Sequence, residues 1–199
     1  MKLSKYRCFI KVTVLSTVLA AVPVNAKTVD IAYADGNVDQ YFVEAVNEQL
    51  SYLPDTLLDK FVSEGWSINV TDKNIDQYYC EGKWGSVEGI ILYDYNIISI
   101  ENRDIAVIDS TLHEIGHYID FVNGRPSNTD EFASIYSEES DIYLSAFEYY
   151  SHYSQRDMFA DGVWKYYTDR EKLKENCPML YDYLDKFLSE HYPEDGTRE

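Results

Sequence analysis

Positive charge is scarce in this chain. Its 199 residues include 17 Lys and Arg against 35 Asp and Glu, a formal charge of −18. Such a field repels nucleic acid and anionic membrane, so neither is expected as a partner. The acidity is read as the solubility device of a secreted protein rather than as a means of choosing substrates. Cysteine is scarce too. Only Cys8, Cys80 and Cys177 occur, with no Cys-x-x-Cys pair, which argues against a thiolate zinc site. No repeat and no low-complexity segment suggests a solenoid or a disordered arm. Histidine is rare, with four in the chain, and two of those four fall four positions apart within one motif.

The first 26 residues read as a secretory signal peptide. Lys2, Lys5, Arg7 and Lys11 form a charged start, Val12 to Val22 is mostly apolar, and Val24-Asn25-Ala26 supplies small residues for cleavage after Ala26. The apolar stretch is short for a bilayer span, so no stable membrane insertion is expected after cleavage. The remainder, Lys27 to Glu199, suits one domain with a full-sized core, and a monomer is the expected state. In an oxidising exterior Cys80 and Cys177 are available to pair, although the sequence does not fix their separation.

Along that domain, Asn37 or Asp39 caps a first helix carrying Tyr41, Phe42, Ala45, Val46 and Leu50. Pro54 starts a second that stops near Gly65. Trp66 to Val70 alternates as a strand. Val87 to Tyr93 and Asn96 to Ile100 read as two strands joined at Asp94-Tyr95, and either Val87–Leu92 or Ile97–Ile100 is the candidate edge strand for an extended peptide. Lys83 and Trp84, just before, are candidates to line a cleft. A helix then runs from about Arg103 to Phe121, stopped by Asn123-Gly124. After Pro126 the pattern is helical: a segment capped by Asn128 or Thr129 through Tyr136, another over Asp141 to Tyr150, another over Asp157 to Tyr167, and a last one opened by Pro178. The expected class is α+β: a small twisted mixed sheet with a helix carrying the chemistry, then a mostly helical second half.

That helix holds His113-Glu114-Ile115-Gly116-His117. Leu112, Ile115 and Ile119 bury one face. His113 and His117 stand one turn apart on a common face, with Cβ atoms about 5–6 Å apart, and can reach one Zn²⁺. Glu114 lies beside them without ligating, where an attacking water needs a base. A catalytic zinc takes three protein ligands and leaves one position open. The third is not local, since the position six residues after His117 is Asn123. Asp157 and Asp161, one turn apart in an apolar segment, are the best placed: one binds the metal and the other orients a histidine. His152 is a further alternative.

His113-Glu-Ile-Gly-His117-Tyr-Ile-Asp120, followed by Asp157-Met-Phe-Ala-Asp161, resembles the catalytic domain of anthrax toxin lethal factor and, more closely, the small secreted Pro-Pro endopeptidases of that fold. The resemblance spans roughly residues 87–188 and implies a single-domain zincin. It implies Asp157 as third ligand, Asp161 behind it, Glu114 as general base and Tyr150 as a donor to the oxyanion. The family's third ligand is glutamate. Asp157 is shorter by about 1.5 Å, so its helix must approach the metal more closely or Asp161 or His152 must serve. The expected function is a secreted zinc metalloendopeptidase acting on a polypeptide, with cleavage between prolines implied by the closer resemblance. The rival readings are a toxin-type protease acting on a host protein and a catalytically silent zincin that only binds.

Overall fold

The computed structural model describes residues 31–83, 85, 87–148 and 154–193. The expected signal peptide, Trp84, Tyr150 and His152 lie outside the described residues. Four strands, β1 (Ala32–Asp35), β2 (Ser67–Thr71), β3 (Gly89–Leu92) and β4 (Ile97–Glu101), alternate with helices α1 (Gln40–Leu50), α2 (Asp55–Ser63) and α3 (Ile75–Tyr79). Five helices follow: α4 (Asp104–Val122), α5 (Asp130–Ala146), α6 (Gln155–Thr168), α7 (Arg170–Asn176) and α8 (Pro178–His191). The class is α+β, as the residue patterns imply.

The strand order is β1-β2-β4-β3. β1, β2 and β4 run parallel, and β3 is antiparallel to β4. The sheet is therefore mixed, and β3 is one of its two edges. Ile97–Ile100 is not an edge. β4 hydrogen-bonds to β2 on one side and β3 on the other, and Ile98, Ser99 and Ile100 are all fully buried. The turn between β3 and β4 is also longer than a two-residue hairpin. Tyr93–Tyr95 forms one 3-10 turn, closed by Asn96 in the left-handed region at φ 53°, a conformation asparagine tolerates better than most residues.

Helix starts follow the side-chain chemistry. Asp39 accepts from the Tyr41 amide at 3.0 Å, and Thr129 accepts from the Phe132 amide at 3.2 Å. At its far end α4 stops where Gly124 takes φ +77°. α4 packs against β3, β4 and α1, and most extensively against α6. Leu112, Ile115, Tyr118 and Ile119 fill the core beneath it.

The two helices expected over 128–136 and 141–150 are one, α5. The polar run Ser137-Glu-Glu-Ser140 interrupts the apolar pattern, yet Glu139 is buried for a reason of its own. Its two carboxylate oxygens accept from the Met179 and Leu180 amides, each at 2.9 Å, and so complete the start of α8, where Cys177 provides no side-chain cap. Glu139→Gln swaps one acceptor for a donor facing a backbone N–H. It is expected to destabilise the fold by about 1–3 kcal/mol in urea unfolding while leaving metal affinity unchanged.

Cys80 and Cys177 are both free, and Cys177 lies in the core between α7 and α8. No disulfide joins them. No helix among the described residues is long and apolar enough to cross a membrane.

Candidate metal centre

The apolar face of α4 fixes the rotation of that helix and turns its histidines toward α6. The rings of His113 and His117 lie 4.6 Å apart at 88°. α6 runs antiparallel alongside. His113 Nδ1 is 2.6 Å from Asp161 Oδ1, and one turn further His117 Nε2 is 3.5 Å from Asp157 Oδ1. Between these pairs the two backbones touch. A Cβ built on Gly116 would lie 2.5 Å from both the Cα and the carbonyl oxygen of Ala160. This is the close approach that a short aspartate requires.

One oxygen of Asp157 is already engaged. Ser154 caps α6, and a capping box forms: the Ser154 amide and hydroxyl donate to Asp157 Oδ2 at 3.1 and 2.7 Å, and the Asp157 amide donates to Ser154 Oγ at 3.2 Å. Asp157 Oδ1 is left facing His117. The spacing Ser154-x-x-Asp157 is the sequence signal for this device. Burial pushes the Asp157 carboxyl up, but the bonds from His117 and Ser154 outweigh it and hold the group well below the ordinary carboxylate range.

One ligand atom from each of His113, His117 and Asp157 falls within 4.8 Å of the others. Zinc at about 2.0–2.1 Å from tetrahedral ligands separates neighbouring donors by roughly 3.4 Å. The 3.5 Å between His117 and Asp157 matches that span. Asp161, 3% exposed, sits behind His113 and holds the Nδ1 proton, which leaves Nε2 as the donor toward a metal. His117 Nδ1 is buried with no hydrogen-bond partner among the described residues. The donor set of two imidazoles and one carboxylate therefore fits zinc.

Burial alone lowers the His113 pKa, but the charge and hydrogen bond of Asp161 outweigh it and raise the group to about 9. Zinc needs the neutral imidazole, so metal and proton compete. Below pH 9 apparent zinc affinity is expected to rise about tenfold per pH unit through this group. Chelator competition between pH 6.5 and 9 measures the slope, and Asp161→Asn is expected to flatten it.

Glu114 is 6% exposed and lies beneath β3. A Cβ on Gly89 would come within 2.6 Å of Ser110 Cβ and 3.2 Å of Glu114 Cγ, so the strand start rests on this face of α4. Among the described residues the far side of β3 has no strand partner. His113, Glu114, His117, Asp157 and Asp161 are thus gathered at one place. Tyr150 and His152, in the segment before Ser154, lie outside the described residues.

Residues 24–187 match the family described as anthrax toxin lethal factor, N- and C-terminal domain. The chain belongs to this family. No curated protein matches it. Among solved structures, this lethal factor family member is similar to the Pro-Pro endopeptidase PPEP-2 from Paenibacillus alvei, with 23% identity, a TM-score of 0.62, and coverage of 79% of this chain and 97% of that one. At that identity the likeness concerns the fold.

Proposed function

We propose that this lethal factor family member is a secreted zinc-dependent endopeptidase, with His113, His117 and Asp157 as metal ligands and Glu114 as general base. The observation that carries the reading is the convergence of those three ligand atoms within 4.8 Å beside a buried glutamate and an unpaired strand edge. Membership of the family supports it.

Zn²⁺ bound there supplies Lewis-acid polarisation of the scissile carbonyl and lowers the pKa of the attacking water. The chain's own groups do the rest. An extended substrate adds to β3, where main-chain hydrogen bonds hold it without reading its sequence. Glu114 takes the proton of the attacking water, keeps it on its carboxylate, and passes it to the leaving amine. Tyr150 donates its hydroxyl hydrogen to the oxygen on which charge develops. Asp161 keeps His113 in one tautomer throughout. The name of PPEP-2 points to Pro-Pro bonds as the substrate class to try first. Secretion rests on residues 1–26, the partner is a polypeptide, and the working state is a monomer.

The test uses the protein from Lys27 onward and a mixed peptide library, half its members containing adjacent prolines. Cleavage read by mass spectrometry is expected to stop on chelation and return with Zn²⁺, with Pro-Pro peptides among those cut. A zinc-loaded protein that leaves the whole library intact overturns the peptidase reading.

A further inference from the structure

At the end of β3 two arginines gather beside the metal site. Arg156 immediately precedes Asp157 on the first turn of α6, and its Nη2 donates to Tyr93 Oη at 2.7 Å. Tyr93 is the residue directly after the last position of β3. Arg125 stacks on the rings of Tyr93 and Phe121, 4.9 and 5.0 Å from their centroids, with Nη1 3.5 Å from the same Tyr93 oxygen. In a chain with twice as many acids as bases, a pair of guanidinium groups at this point needs a cause.

Asp120 does not neutralise the pair. It is fully buried, and its Oδ1 accepts from the Ser127 amide at 2.9 Å. Its Oδ2 is 3.4 Å from Arg125 Nη1 and 3.9 Å from Arg156 Nε, both longer than the roughly 2.7–2.9 Å of a charge-assisted bond. Among the described residues Asp120 is the only carboxylate within 4.0 Å of either arginine. Two cations therefore share one acid, and Arg156 Nε, itself a buried atom, has no hydrogen-bond partner among the described residues, which leaves the exposed part of the guanidinium for a ligand. The side chains are 41% and 27% exposed for Arg156 and Arg125, so the uncompensated charge is open to a ligand.

We propose that Arg125 and Arg156, held by Tyr93, form a subsite for an acidic side chain of the polypeptide substrate. The inference rests on the peptidase reading above. A peptide added to β3 passes Glu114 at the Gly89 end and leaves past Leu92 toward Tyr93. At about 3.3 Å per residue, that distance places the acidic residue roughly two to four positions from the scissile bond, on one flank only. A planar guanidinium matches a carboxylate in shape as well as charge, so glutamate or aspartate is preferred over the amides.

The experiment compares peptides that carry Glu or Gln at each position within four residues of the cleaved bond. The readout is the ratio of kcat/KM for Glu over Gln within each protein. The wild type is expected to favour Glu about three- to tenfold at one or two positions on one flank, less so at high salt. Arg156→Gln and Arg125→Gln are expected to bring the ratio close to one, and Arg156→Lys to keep most of it. A ratio near one everywhere in the wild type, or a preference that Arg156→Gln leaves untouched, overturns the subsite and makes these arginines purely structural. If Arg156→Gln does not fold, the lysine variant and the salt dependence of the wild type decide. If the wild type cuts nothing, the peptidase reading fails by itself. Labelled versions of the same peptides, bound to Glu114→Gln and followed by anisotropy, then decide the subsite: a Glu preference supports it, and equal or absent binding removes it.

Discussion

Glu114→Gln is expected to lower kcat/KM for peptide cleavage by about 10²–10⁴-fold while the protein still binds zinc. Glutamine has nearly the same shape, so it occupies the same buried place beneath Gly89. It does not accept the proton of the attacking water, which is the whole of the difference. His113, His117 and Asp157 are untouched, so zinc content measured on the purified variant should equal that of the wild type. Zinc retained with cleavage lost assigns the base. Cleavage retained would falsify that assignment and move attention to the other carboxylates around the site. A wild type and variant that bind the same peptides equally and cut neither describe a silent binding protein.

Gly116→Ala carries the second large effect. The added methyl meets the Ala160 backbone at 2.5 Å, and a backbone has no rotamer with which to move aside. α6 must shift away from α4 as a unit. Overpacking of this kind costs about 1–3 kcal/mol of stability. The shift also widens the gap between His117 and Asp157, which an aspartate has no length to close. Zinc affinity is therefore expected to fall about 10–100-fold, the scale seen when the support of a metal ligand is disturbed. Gly162→Ala is the control. It lies on α6, the helix that Gly116 packs against, and the nearest atoms to its Cβ are the side-chain ends of Leu184 and Leu180, at 2.9 to 3.3 Å, which can turn. Some loss of stability with unchanged zinc affinity is expected there. Equal zinc affinity in both variants would show that the close crossing does not set the site.

The parts of the structure that could be read from sequence are those with local signals. α4 announces itself through apolar spacing and the Asn123-Gly124 stop, and the paired histidines follow from it. The Asp157–Asp161 spacing places two acids on one face of α6, although which oxygen faces which histidine emerges only from the crossing at Gly116. β1 was not legible. Ala32-Tyr-Ala-Asp35 has neither alternation nor β-branched residues, and it exists through its pairing with β2, more than thirty residues on. α3 and α7 are too short to carry a period. The edge position was ambiguous because β3 and β4 have similar composition, and strand order is a property of the sheet. Tyr93, Asp120 with Arg125, and Arg156 come from three separate stretches, and no spacing rule connects them. Nothing local marks Glu139, because its partners, the amides of Met179 and Leu180, lie forty residues away.

The carboxylate of Asp157 serves two masters. Oδ2 closes the first turn of α6 through Ser154, and Oδ1 faces the site. Whatever grips one oxygen steadies the other, so metal occupancy and the integrity of the helix start are thermodynamically linked. A metal that binds the folded chain alone adds about 2.7 kcal/mol to its stability at a hundred times the dissociation constant. If zinc is the metal, as proposed, its supply becomes a folding variable: where it is scarce, the first turn of α6 from Ser154 to Asp157 is held less firmly.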